Sequence, residues 1–559
     1  DVLYATGYEE VAGNLRWRVM KSTDNGSTWT ELLMYDGPDK SYLTIEVSKA
    51  KPDYLYLCKV ENSKATISYH DNTSWTEIIN NSNMDFSCGN GFGVEQVQDG
   101  ETFIISKSIF IKKLSINGTG PDISSINHVD VEDVVYHPYN PDEVWICTHG
   151  GPEKSINGGN TWQPKYNGVG TAMATKMATS YTNPEYVMLG LYHDGTQITR
   201  TPYSDNWKPN WQKVSWGDGQ QPLIDNKDPR YMWSTRQKGW FYYSNNYFLS
   251  VDNTIYKKTQ WLTQAVLNKE NSNYLYTNKK SASSGFKNEV NRYTSRGATS
   301  GDFISDFENM LDPSIKDILI IGMVTPYYSN DELIVWLTAR EGTSGNGFHV
   351  FRTRNANAAD PTAVNWTKLD IPRTDYIKDI EFDPYNTDKL YICYSNSSDQ
   401  DSLPFGNKFI WKADYTDVGN PDFIDITRNL PYAHTGSYCL EYERGSDGVL
   451  YLATDFGVFT TDNQLLNSND SWQKLGVGFP HCHSANGIEI NYPMNLLRVG
   501  TEGRGAWELP LPCRSETTEI EINQNTTWNE DKRLNRVVIV KSGNTLTIAE
   551  ARRSFQNEA

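Results

Sequence analysis

Short apolar strands that end in a small residue recur along this chain, at Ala5, Cys58, Ser106, Cys147, Gly190, Ser234, Thr277, Thr338, Cys393, Ala453 and Gly500. Their spacing averages about 50 residues, which suits a four-stranded unit with its turns. A unit of this size cannot bury its apolar surface alone, so copies must stack, and a ring of stacked copies is a β-propeller. Turns of one type precede several copies: Pro138-Tyr139-Asn140-Pro141-Asp142, Pro384-Tyr385-Asn386-Thr387-Asp388 and Lys51-Pro52-Asp53. Proline fixes such a turn and Asn or Asp caps it, so each is expected to join the first two strands of a unit. One ring of about ten blades would account for nearly all of the eleven units, with one shared closing blade, whereas two rings of seven would need about three more. An open ring exposes strand edges. The expected fold is therefore all-β: a multi-bladed β-propeller over residues 1–512, with one large ring favoured over two smaller ones. Residues 513–559 are expected to start a short β-rich C-terminal module, truncated or processed.

A second repeat lies one strand later in Ser22-Thr23-Asp24-Asn25-Gly26-Ser27-Thr28-Trp29 and in Ser155-Ile156-Asn157-Gly158-Gly159-Asn160-Thr161-Trp162. These segments resemble the Asp-box of sialidase-like and sortilin-like propellers. Physically the motif is a hairpin lock. Asp24 or Asn157 accepts turn N–H bonds, Gly26 or Gly159 takes a positive φ, and Trp29 or Trp162 packs between blades. Ser22 and Ser155 open the two copies. In families that carry such boxes they face away from the ligand, so they mark the fold and not the site.

Composition narrows the function. Asp and Glu number 69 against 51 Lys and Arg, a formal charge of −18, which opposes a phosphate backbone and sets nucleic acid aside as a partner. No apolar run approaches the ~20 residues of a membrane span, so the chain is expected not to cross a membrane itself. Asp1-Val2-Leu3-Tyr4 already reads as a strand, and any export signal is expected to have been removed or left out. Seven cysteines are too few for a disulfide framework in a chain this long. Cys58, Cys147 and Cys393 end similar apolar strands and read as small core residues. Long helical periodicity is missing. A short helix is expected within Gly301–Leu311, and another in the last ten residues.

Near the end, Val449-Leu450-Tyr451-Leu452-Ala453-Thr454-Asp455-Phe456-Gly457 and Gly503-Arg504-Gly505-Ala506-Trp507-Glu508 resemble the closing blades of large secreted propellers of the Bacteroidota, many of them cargo of the type IX secretion system. In the middle, His128-Val129-Asp130-Val131-Glu132, His149-Gly150-Gly151, Tyr192-His193-Asp194-Gly195-Thr196 and Trp216-Gly217-Asp218-Gly219 are similar to motifs of xyloglucanase-like glycoside hydrolases and of exported propellers. The chain departs from that pattern at polar positions: Glu132 stands where the second His of His-x-Asp-x-His would be, and His149 replaces the Asp of Asp-Gly-Gly.

Strand alternation places His128, Asp130 and Glu132 on one side, and His149 and His193 come from adjoining units. This set is the candidate for a divalent metal in the propeller channel or for an acid/base pair; the alternative is a solvated polar network, with no cofactor. Glycoside hydrolysis needs two carboxylates about 5 to 10 Å apart, for which Asp455 and Asp218 are the catalytic candidates. Sugar binding without catalysis needs exposed rings beside polar groups, for which Trp216, Trp233, Trp240 and His193 are the candidates. No Gly-x-Ser-x-Gly, Walker A or His-Glu-x-x-His motif occurs, which leaves serine hydrolase, P-loop and common zinc readings without support. The expected function is a binding or scaffold protein, secreted or on the outer surface of the outer membrane. It would be an adhesin-type or accessory component of a surface assembly, exported by type IX secretion. Its expected partners are other surface proteins or a polysaccharide. The alternative is a xyloglucanase-like glycoside hydrolase.

Overall fold

Each of the eleven small residues falls within a β-strand, and from Cys58 onward each occupies the second strand of an antiparallel meander. The computed structural model describes residues 2–511 outside segments 12–13, 38–41, 63, 81–90, 108–109, 124, 129, 167–168, 201–210, 260, 281–285, 313–314, 342–345, 396–407, 432–438, 447, 463–464, 468–470 and 483. Beyond 511 it describes only four short strands. Apart from one parallel pairing, of Phe286–Tyr293 with Ile315–Val324, the strands up to residue 511 form antiparallel meanders, as a chain rich in β-branched and aromatic residues with Asn, Asp and Gly turns should. The proline turns sit where expected, between Val131–Tyr136 and Val144–Thr148 and between Ile377–Asp383 and Asn386–Tyr394. The chain forms two compact units, Asp1–Thr171 and Ala172–Ala559.

The first unit holds four sheets: a three-stranded one from Leu3 to Gly37, then three of four strands running Tyr42–Asn80, Phe92–Ile123 and Val131–Pro164. Facing sheets bury their alternate residues. Tyr56, Val60, Ile67, Phe92 and Phe103 form one such layer; Ile104, Val134, Ile146 and Trp162 form another.

Up to residue 511 the second unit holds seven sheets, the third and fourth of them joined into one eight-stranded sheet where Phe286–Tyr293 pairs in parallel with Ile315–Val324. Their innermost strands are Ala174–Thr179, Leu223–Ile224, Ala265–Leu267, Ile315–Val324, Ile377–Asp383, Cys439–Tyr442 and Ser484–Asn491. Each innermost strand lies beside that of the next sheet, and the last lies beside the first. The join is polar and specific. Asn486 Nδ2 donates to the Ala174 carbonyl at 2.8 Å, the Thr179 N–H donates to Glu489 Oε2 at 2.6 Å, and Asn491 Nδ2 donates to the Ser180 carbonyl at 3.2 Å. Arg498, 1% exposed, reaches Thr179 Oγ1, the Pro184 carbonyl and, at 2.7 Å, Glu508. Seven sheets thus close a ring among themselves, where the repeat count had favoured one ring of about ten. Propeller sheets meet at an angle that depends on the side chains between them, which a count of units does not contain.

The hairpin locks form. Ser22 Oγ accepts the Gly26 N–H at 2.9 Å, Asp24 accepts from Thr28, and Gly26 has φ +88°; Ser155, Asn157, Gly159 and Thr161 repeat the arrangement. Trp162 is buried between sheets as expected, but Trp29 is 41% exposed, its Nε1 donating to the Gly26 carbonyl of its own turn. Cys58 and Cys393 are core residues, whereas Cys147 is exposed. Its strand alternates, with Val144, Ile146 and Thr148 inward, so parity turns Cys147 outward. The expected short helix is Phe307–Met310. The one expected in the last ten residues lies outside the described residues. No helix among the described residues is long and apolar enough to cross a membrane. The strands beyond 511 pair in parallel, Ile520–Ile522 with Val538–Val540 and Thr526–Trp528 with Leu546–Ile548.

Candidate functional site

The first and seventh innermost strands of the ring run the same way, since Ala174 meets Asn486 at one end and Ser180 meets Asn491 at the other. Cys439 Sγ likewise donates to the Ala485 carbonyl, start against start. Turns between second and third strands fall at the end where innermost strands begin. That end carries His193 in the first sheet's turn, Asp218 and Trp216 ahead of the second sheet's innermost strand, and Asp455 in the sixth sheet's turn.

Asp218 is 2% exposed. Its Oδ1 accepts the His193 N–H at 3.0 Å and lies 3.3 Å from the His193 Nδ1, while its own N–H donates to Gln237 Oε1 at 2.9 Å. His193 takes a left-handed φ of +61°, and Gly195, at +68°, packs so tightly that a Cβ there would run into the Ser215 carbonyl. Asp218 therefore anchors a crowded turn. Asp455 belongs to a different group: its carbonyl accepts the Cys482 N–H at 2.9 Å, beside Thr454 Oγ1 bonded to the Gly457 carbonyl. The two candidates thus sit in separate turns, and of the two it is Asp218 whose carboxylate is seen bracing its turn.

The candidate aromatics divide. Trp233 is 2% exposed and packs with Leu223, Tyr243 and Leu275 between sheets, so it is core and offers no ring to a sugar. Trp216 is 72% exposed with Lys213 Nζ 4.7 Å from its ring. Trp240 is half-buried, its ring 4.7 Å from that of Tyr256.

At the ring axis the structure gathers side chains that the motif reading passed over. Tyr181, which follows the first innermost strand, shares a hydrogen bond of 2.7 Å with Tyr327, which follows the fourth. Arg444, beyond the sixth, stands 4.9, 4.2 and 4.5 Å from the rings of Tyr181, Tyr327 and Tyr492. Groups from non-neighbouring sheets can touch in this way only across the axis. Beside them, Lys269 Nζ stands 4.0 Å from the Tyr327 ring and 3.6 Å from Glu381, with Glu441 and Glu489 contributing to the same field. Asp379 Oδ2 accepts the Leu440 N–H at 2.9 Å. Asp379 and Glu489 thereby satisfy N–H groups on the free edges of the next innermost strands, the edges a ring must otherwise leave bare.

Burial controls the charge of this cluster. It pushes Glu489 up to about 7, against the opposing pull of the Thr179 N–H, Lys269 and Arg498. Glu381 is raised by burial and by Asp379, and Glu441 by burial and by Glu381 and Glu489, with Lys269 opposing in both. Lys269 stays protonated because Glu381 and Glu441 outweigh the burial that works against it.

In the first unit, Asp130, Glu132 and His149 converge. The His149 Nε2 lies 3.0 Å from Glu132 Oε1, and its Nδ1 lies 3.8 Å from Asp130 Oδ2. Simple alternation does not bring them there. Asp130 precedes the strand with φ +59°, and the register shifts between Val131 and Asp133, so Glu132 sits in a bulge. His128 is held apart: its N–H donates to the buried Glu153 at 3.0 Å, and its ring covers Gly150.

No protein-family model matches the chain, and no curated protein matches it. Among solved structures, the chain is similar to the GH74 xyloglucanase of Xanthomonas campestris, with 12% identity over 89% of this chain and 72% of that one and a TM-score of 0.49.

Proposed function

We propose that this chain is a non-catalytic binding or scaffold propeller of the cell surface, which holds a polysaccharide or a surface partner at the turn-bearing end of its seven-sheet ring. The observation that carries this reading is the state of the axis. Its charged side chains are engaged with one another, and Arg444 with Tyr181 and Tyr327 spans it from sheets on opposite sides. An enzyme that cleaves glycosidic bonds needs two carboxylates facing one substrate across an open cleft. The Asp218 carboxylate instead braces the crowded turn at His193, and Asp455 lies in the turn of a different sheet, its main-chain carbonyl bonded to Cys482. Exposed Trp216 supports binding at the same end, since a flat ring stacks on a pyranose face. The surface location and type IX export belong to this proposal through the closing-blade motifs of the sequence.

The test is a panel of plant, fungal and bacterial polysaccharides incubated with the purified chain, following retention and new reducing ends together. Retention without reducing ends is the expected result. New reducing ends that disappear in Asp455→Asn or Asp218→Asn would make the protein a glycoside hydrolase and overturn the proposal.

A further inference from the structure

One sector of the ring's turn-bearing end is basic in a chain whose formal charge is −18. Backbone bonds lay three segments side by side there: the Lys257 N–H donates to the Gly239 carbonyl at 2.7 Å, the Lys238 N–H to the Trp261 carbonyl at 3.2 Å, and the Lys280 N–H to the Lys258 carbonyl at 2.8 Å. Arg236, Lys238, Lys257, Lys258 and Lys279 therefore share one neighbourhood. Among the described residues none of these five has a carboxylate at ion-pair distance; Lys257 Nζ donates to a carbonyl, that of Thr299, at 3.1 Å. Lys257 and Lys279 are close enough to repel, and that repulsion adds to burial in lowering Lys279. Uncompensated like charges held together by backbone geometry are costly unless an anion is to meet them.

The cations are interleaved with rings. Arg236 stands 5.3 Å from the Trp240 ring, and Lys238 stands 5.4 Å from that of Trp261. Trp261 is 46% exposed, Tyr256 52% and Trp216 72%. A ligand that suits this surface alternates an apolar flat face with a single negative charge at short intervals. A uronic-acid polysaccharide does so, because each pyranose presents a C–H face and one carboxylate. The dense phosphate charge of a nucleic acid fits worse, since the rest of this acidic chain repels it.

We propose that this basic, tryptophan-bearing sector of the second and third sheets binds a uronic-acid polysaccharide, the carboxylates meeting Lys238, Lys257 and Lys258 and the sugar faces stacking on Trp216 and Trp261. The proposal rests on the binding reading above and names its ligand class.

Affinity electrophoresis of the whole chain through gels holding polygalacturonate, xyloglucan or neither, with single-stranded DNA as competitor, tests it. The wild type is expected to be retarded by polygalacturonate, with affinity falling as salt rises. Lys238→Glu/Lys257→Glu, and separately the exposed Lys258→Glu, should weaken retardation, the double variant by about tenfold or more. Trp216→Ala should weaken it without changing its salt dependence. Lys64→Glu, the same charge change in the first unit, should leave it unaltered. Retardation by xyloglucan alone would overturn the uronate assignment while leaving the binding reading intact. Displacement by DNA at equal charge concentration, or Lys258→Glu and the double variant binding like wild type, would overturn it as well.

Discussion

Glu489 offers the sharpest test of the axial cluster, because the structure assigns its charge an unfavourable sign. Its carboxylate accepts the Thr179 N–H at 2.6 Å across the join of first and seventh sheets, and burial raises it from an ordinary 4.5 to about 7. Between those values the folded chain keeps the proton and the unfolded chain releases it, so stability falls as pH rises from below 4.5 to above 7. At about 1.4 kcal/mol per pH unit, the loss attributable to this one group is up to about 3 kcal/mol. Glu489→Gln keeps an amide oxygen for the Thr179 N–H and removes the charge. At pH 8 it should stabilise the protein by that amount, a gain of a few degrees in melting temperature for a unit of this size, and at pH 4.5 it should change little. Urea unfolding followed by tryptophan fluorescence at the two pH values measures both. If Glu489→Gln destabilises the chain at pH 8 more than at pH 4.5, the ionised carboxylate is holding Lys269 and Arg498 in place and the reasoning here is wrong.

Other expectations follow from single contacts. Trp233→Ala should cost about 3–5 kcal/mol because its ring fills a layer between sheets, while Trp216→Ala should stay within about 0.5 kcal/mol; thermal unfolding separates them. Arg498→Ala should cost about 3–5 kcal/mol, as it strands a fully engaged guanidinium's partners at Thr179, Pro184 and Glu508. Faster amide exchange confined to the first and seventh sheets would accompany that loss. Ser155→Ala removes the acceptor of the Gly159 N–H and should cost about 1 kcal/mol in a urea titration. Asp24, held near 2 chiefly by its bonds to Thr28, gives support that is complete above its unfolded value and disappears as pH falls through about 2. Asp24→Asn should therefore flatten the acid limb of the unfolding curve.

The repeat was readable because it is built from local chemistry. A small residue ending an apolar strand and a proline turn both act within a few residues, and each occupies the strand or turn expected of it. A further hairpin lock escaped notice, at Ser244–Ser250. There Ser244 Oγ accepts the Phe248 N–H at 2.9 Å and Asn246 accepts from Ser250, with Tyr247 and Phe248 left-handed in place of glycine. The axis was legible only in part. Ile380-Glu381-Phe382, Leu440-Glu441-Tyr442 and Ile488-Glu489-Ile490 repeat one pattern in three successive innermost strands, and an acid set between core residues is a signal. What local pattern cannot show is which sheets face one another. Lys269 comes from the third sheet to meet Glu381 of the fifth, a pairing that exists only once the ring has closed. The same limit applies to the uncompensated lysines, whose meeting depends on backbone bonds between three segments.

The join itself has a consequence for how the protein comes into being. Thr179 and Glu489 are 310 residues apart in sequence, so the first sheet of the ring must wait, with one edge of its innermost strand unclaimed, until the last has been made. During that interval the chain is a growing fan of sheets whose two ends seek a partner, and a second copy at the same stage offers one. Concentration during synthesis or refolding, rather than the strength of any single sheet, then decides whether ends meet within one molecule or between two.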